Sequence, residues 1–163
     1  MPLVPFESLP DDARVWVFGS DSPLDPPGAR RLLADVDAYL AQWNAHGSPL
    51  TCARDWRDDR FLAIGVDQST AGASGCSIDG LFRTLRSLES VIGASLVSGG
   101  RVFFRDESGV ARSVDRARFG QLAGSGAIGD ETAVFDTTVT TAADWRTRFE
   151  TKVKDSWHRQ LIG

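Results

Sequence analysis

The chain reads as an α+β fold: a mostly antiparallel sheet with a ferredoxin-like βαββαβ core, a C-terminal βαβα extension, and the long helices on one face. Three observations predict it. Short runs of β-branched and aromatic residues alternate with two long helical stripes in the order strand, helix, strand, strand, helix, strand. The two middle runs, residues 50–57 and 60–66, are separated by little more than Asp58-Asp59, which is hairpin spacing. The second of them, Phe61-Leu62-Ala63-Ile64-Gly65-Val66, is apolar throughout, as a central strand buried on both faces must be. A three-layer α/β sandwich is the alternative.

Residues 1–13 hold three prolines and two aspartates and form an irregular lead-in to a single domain. Arg14-Val15-Trp16-Val17-Phe18-Gly19 then has strand composition and ends at glycine. In Asp25-Pro26-Pro27-Gly28, Asp25 suits an N-cap and Pro26 the first helical position, where its missing N–H costs nothing. Leu33, Val36, Leu40 and Trp43 recur at helical spacing, which predicts a helix running to His46-Gly47. Ile78, Leu81, Leu85, Leu88 and Ile92 form the cleanest stripe in the chain, closed by Gly93. Residues 101–105 and 110–114 flank Asp106-Glu107-Ser108-Gly109 as a hairpin. A short helix near 116–123, a strand near 132–136 and a last helix follow. That helix opens at Thr141-Ala142-Ala143-Asp144 and carries Trp145, Phe149 and Val153 on its apolar side.

Right-handed crossovers make the first strand parallel to the second and the third parallel to the fourth. The loop holding His46 and the loop at 67–76 then share one end of the sheet, and the turn at 106–109 joins them there.

Composition bounds the function. With 163 residues, 42% hydrophobic and 25% charged, the chain can bury a core without disulfide or metal support. Two cysteines make no disulfide framework, and neither a CxxC pair nor a histidine pair of zinc-site spacing occurs, so no metal or cofactor is expected. A net charge of −4 argues against nucleic acid as a partner. No apolar run approaches the ~20 residues that span a bilayer, and the N-terminal residues lack the pattern of a secretory signal. The expected location is the cytoplasm, with reduced cysteines.

One segment carries chemistry. Residues 67–79, Asp67-Gln68-Ser69-Thr70-Ala71-Gly72-Ala73-Ser74-Gly75-Cys76-Ser77-Ile78-Asp79, are almost all small or polar and lie between a buried strand and a strongly amphipathic helix. Its glycines permit close backbone approach, and the loop delivers Cys76 and Ser77 to the helix N-terminus. Unpaired N–H groups and the positive end of the dipole there favour a thiolate, or equally a bound phosphate or carboxylate held by the backbone of Gly75, Cys76, Ser77 and Ile78. Three familiar loops do not fit. No lysine precedes Lys152 for a Walker A loop; Gly72-Ala73-Ser74-Gly75 lacks the spacing of a nucleophile elbow; and Arg83 lies seven residues after Cys76, not at phosphatase-loop spacing.

Blander roles compete at each position. Cys76 is either a small packing residue or a reactive or regulatory thiol, whereas mid-strand Cys52 is a packing residue. His46 either caps a helix C-terminus or serves as a general base opposite Cys76. His158, in Asp155-Ser156-Trp157-His158, is structural or a second candidate base. Asp67 and Asp79 are able to orient a histidine, and a helix-capping or first-turn role also explains Asp79. The five tryptophans fall mostly on apolar stripes and read as core.

The strings Trp43-x-x-His46-Gly47-x-Pro49-Leu50, Arg60-Phe61, Val66-Asp67-x-Ser69-x-Ala71-Gly72-Ala73-Ser74-Gly75-Cys76-Ser77-Ile78-Asp79, Val139-Thr140-Thr141 and Asp155-Ser156-Trp157-His158 resemble a family of short bacterial proteins of unknown function. Some members of that family carry an "ABC transporter ATPase" label. The likeness runs from about residue 12 to 161 and implies no activity; the label implies a nucleotide-triphosphate site that these residues lack.

Three functions stay in view. The first is a thiol-dependent enzyme with Cys76 as nucleophile, His46 or His158 as base, Asp67 orienting it, and N–H groups at 76–78 holding an oxyanion. The second is a non-catalytic module that binds a small anion or nucleotide at the same loop. The third is a protein–protein adaptor in which the loop is purely structural.

Overall fold

The computed structural model describes residues 3–69, 72–97 and 99–162. Thr70 and Ala71 of the candidate loop lie outside the described residues.

The first half contains β1 (Arg14–Gly19), α1 (Pro26–Leu40), a small hairpin of β2 (Asn44–Ala45) and β3 (Ser48–Pro49), β4 (Cys52–Arg57), β5 (Phe61–Val66) and α2 (Gly75–Ile92). The second half contains β6 (Arg101–Arg105), β7 (Ala111–Asp115), α3 (Arg116–Gly124), β8 (Ala133–Phe135), α4 (Ala142–Thr147) and β9 (Glu150–Lys152), closing on 3₁₀ turns at Val153–Asp155 and Trp157–Leu161. Helices and antiparallel sheets together make an α+β fold.

All six residues of β5 are buried, and β5 lies between β1 and β4, antiparallel to both. Its alternation separates two cores. Leu62, Ile64 and Val66 pack under α1 and α2, while Phe61 and Ala63 face the opposite side. On that side stands a second antiparallel sheet in the order β7-β6-β8-β9. Phe61 of the first sheet meets Phe103 of β6 and Phe135 of β8 at centroid distances of 5.0 and 4.7 Å, with Phe149 at 5.0 Å. The outer face of the second sheet, with Val102, Phe104 and Val134, is covered by Phe119 of α3 and by Val153. The layers therefore run helices, sheet, sheet, then α3 with the C-terminal turns, one sheet more than a three-layer sandwich.

The order β1-β5-β4 supplies three strands of a ferredoxin-like sheet. The expected fourth strand, β6, does not join them: it pairs with β7 and β8 instead. Residues 13–15 meet residues 140–142 at the position a fourth strand would take, with Val15 N donating to Thr140 O at 2.9 Å and Ala142 N to Ala13 O at 3.0 Å. The turn at 106–109 consequently sits at the other end of the molecule, where Arg105 reaches Asp58 in the β4–β5 turn.

Two helices are shorter than their apolar periodicity predicts. α1 stops at Leu40, although Asp25 caps it as expected by accepting from Gly28 N at 2.8 Å. Trp43 continues the stripe only by turning inward beyond the helix end, where it is buried. α4 spans six residues from its cap at Thr141, and Phe149 and Val153, expected on its apolar side, lie beyond it. The chain between them is β9, whose Glu-Thr-Lys sequence carries no strand signal of its own.

Candidate functional site

The segment 72–77 becomes the start of α2 through one capping arrangement. Ser74 Oγ accepts from Ser77 N at 3.1 Å, and Ser77 Oγ accepts in return from Ser74 N at 3.3 Å. This is a capping box with serine in place of the usual Glu or Gln. Ile78 N donates to Ser74 O, so the cap and the first helical bond already consume two of the N–H groups expected to hold an anion. Among the described residues the N–H groups of Gly75 and Cys76, at the first two helical positions, have no partner. Asp79 falls in the second turn, and Ser74 fills the capping role considered for it. Gly72 and Gly75 have ordinary backbone angles, and a Cβ at either would meet nothing, so close backbone approach does not explain them.

Ser77 is the hub of the site. Its Oγ donates to Asn44 O at 2.7 Å, and its carbonyl accepts from the Trp43 indole at 2.9 Å and the Tyr39 hydroxyl at 3.5 Å. These bonds tie the β2–β3 hairpin to α2. A Cβ at Gly80 would collide with the Tyr39 hydroxyl, so glycine there lets the ring lie against the helix.

His46 sits at the tip of that hairpin. With Gly47 it has positive φ, 52° and 80°, the pattern of a type I′ turn. It is therefore not a helix cap, because α1 ended six residues earlier.

His46 and Cys76 line one cavity of about 390 Å³, together with Tyr39, Trp43 and Arg83. The Cys76 thiol is exposed, so it is not a buried packing residue. The two expected neighbours do share one end of the sheet. They form no hydrogen bond with each other. Arg83 makes no ion pair among the described residues. It comes to the cavity because seven residues are two helical turns, which puts Cys76 and Arg83 on the same face of α2. Its spacing from Cys76, wrong for a phosphatase loop, was the available signal for this placement.

The remaining candidates lie elsewhere. Asp67 Oδ1 accepts from Ser69 N at 3.0 Å and Ser69 Oγ at 2.6 Å, and these bonds hold its carboxyl below the usual range. That oxygen is committed to the loop's own turn. His158 is buried in the outer core, stacked on Trp157 at 4.1 Å and beside Phe119 at 6.0 Å, and does not line the cavity with Cys76. Burial pushes its pKa down to about 4, with Asp136 opposing the shift weakly. Cys52 is buried, its thiol against Leu40 O at 3.5 Å, and burial pushes it up to about 12.

Among the described residues no group of His, Cys, Asp and Glu is placed to hold a metal ion, and no helix is long and apolar enough to cross a membrane. The only strongly exposed large hydrophobics among them are Val91, in α2, and Val110, in the connection between β6 and β7. Comparison of the chain with protein-family models, curated proteins and solved structures found no match.

Proposed function

We propose that the cavity at the N-terminal end of α2 binds a small anion, a carboxylate or phosphate on a molecule of modest size. The observation that supports this reading is the convergence of Arg83, His46 and the N–H end of α2 on one cavity of about 390 Å³. Its volume is in the range of small-ligand pockets. Arg83 supplies a forked donor that makes no ion pair among the described residues, with Asp79 one turn away on the same helix; the Cys76 N–H at the first turn of α2 adds the positive end of the helix dipole, and Tyr39 walls the cavity.

Thermal-shift measurements with phosphate, nucleotides and small carboxylates test it. A ligand at a hundred times its dissociation constant adds ~2.7 kcal/mol, or roughly 5–10 °C in Tm for a chain of this size. The shift is expected to vanish in Arg83→Ala, an exposed substitution that leaves the core untouched. A panel without a stabilising anion, or a shift unchanged in Arg83→Ala, contradicts the reading.

The exposure of Cys76 in the same cavity favours a second reading, in which its thiolate attacks a bound electrophile and His46 takes up the thiol proton. Iodoacetamide labelling near neutral pH distinguishes the two. Dependence on His46 predicts that His46→Ala slows labelling of Cys76 severalfold; an unchanged rate leaves binding as the function.

A further inference from the structure

Among the described residues the outer edge of β1 is only half used. Val15 donates outward to Thr140, so by the alternation of an antiparallel ladder Val17 and Gly19 also present their N–H and C=O groups outward, while Trp16 and Phe18 bond to β5. Beyond Thr140 the neighbouring strand is lost, and among the described residues the outward groups of Val17 carry no backbone hydrogen bond. A cavity of about 360 Å³ opens along this edge. It is lined from both faces of the sheet: Phe82 and Leu96 lie on the helix side, Phe103 and Val139 on the side of the second sheet. A strand laid beside β1 places alternate side chains on these two sides, so the cavity has the shape of a missing strand rather than of a one-sided pocket.

Its charge has one sign. Arg14 and Arg101 line the cavity, and no acidic side chain does. Neither arginine is ion-paired among the described residues. Arg14 lies over the Trp16 ring at 4.9 Å, and Arg101 donates to the hydroxyl and carbonyl of Ser113, both at 2.9 Å. Arg60, buried beside Ser20, donates to the carbonyls of Ser20 and Asp21; its burial, then Arg112 and Arg101, disfavour its charge, and the Asp21 carboxylate opposes them. In a chain of net charge −4 this is a concentrated positive edge.

We infer that the edge of β1 between Arg14 and Arg101 takes up a short extended segment of a partner protein by strand addition, and that the segment carries acidic residues flanking β-branched or aromatic ones. Main-chain bonds to Val17 and Gly19 supply affinity, the two apolar sides read alternate side chains, and the arginines select charge.

Selection of random seven-residue peptides on phage against the full chain, followed by NMR titration of the winning synthetic peptide, tests the inference. The expected winners carry Asp or Glu on both sides of a β-branched or aromatic stretch without proline. The titrated peptide is expected to shift the amides of Val17 and Gly19 first. Arg101→Glu is expected to weaken binding at least tenfold, and Val17→Pro to abolish it. Val17→Pro leaves the β1–β5 ladder intact because the lost N–H faces outward; if that variant fails to fold, Arg101→Glu still decides. Absence of winners, winners without acidic residues, or shifts that map away from β1 overturn the proposal. So does a concentration-dependent dimer in sedimentation that protects the Val17 amide, since it gives the edge to a second copy of the chain.

Discussion

His158 shows how one buried side chain sets a response of the whole chain to pH. Its ring is packed between Trp157 and the region of Phe119, with Nδ1 2.9 Å from Ser156 Oγ, and its pKa falls from the ordinary 6.5 to about 4. Between those values the unfolded chain binds a proton that the native chain does not. Stability therefore falls as pH drops through 6.5 toward 4, is insensitive to this group above 6.5, and levels off below 4. Urea denaturation is expected to show a loss of about 2 kcal/mol between pH 7 and pH 5, most of it absent in His158→Leu. Equal slopes in the two proteins would contradict the assignment. The sequence placed His158 beside a tryptophan but gave no sign of its depth, because burial here comes from α3 and the second sheet, distant in the chain. Cys76 was legible for the opposite reason, whereas His46, read as closing α1, sits at the tip of the β2–β3 hairpin. Cys76 lies two residues after Ser74, the cap that positions it.

At the scale of elements, the start of α2 is the best-supported local reading. Small residues before a strong apolar stripe predict a helix N-terminus, and Ser74 provides it with a reciprocal cap. Ser74→Ala is expected to cost about 1 kcal/mol in thermal or chemical unfolding and to loosen the hairpin that carries His46, since Ser77 Oγ also bonds Asn44 O. A cost within error of zero would mean that the cap is satisfied by other groups. Helix ends away from such caps were not legible. Trp145, Phe149 and Val153 recur every fourth residue as on a helix, yet the three serve a helix, a connecting residue and a 3₁₀ turn. Tertiary packing of the aromatic core, with Trp145 and Phe149 4.2 Å apart, overrides the periodicity. In the same way Trp43 keeps its place on the stripe of α1 only by leaving the helix.

For the molecule as a whole, the two long helices on one face of a sheet centred on β5 follow from local patterns, but the second sheet does not. Val102, Phe103 and Phe104 show that β6 is covered on both faces without saying which strands adjoin it. Phe61 joins the two sheets, touching Phe103, Phe135 and Phe149 from three directions. Phe61→Ala is expected to cost ~3–5 kcal/mol in chemical denaturation, the range for emptying a large core site. A cost below about 1 kcal/mol would mean that the sheets are held together elsewhere.

In the proposed function Arg83, His46 and the first turn of α2 form one anion site. NMR titration of the chain with inorganic phosphate, and in parallel with a small carboxylate, observes that site directly. A saturable shift of the Gly75 and Cys76 amides, together with the Arg83 side chain and the His46 ring, is the predicted result for at least one of the two anions. Shifts confined to other arginines, or none at the first turn of α2 with either anion, would contradict it.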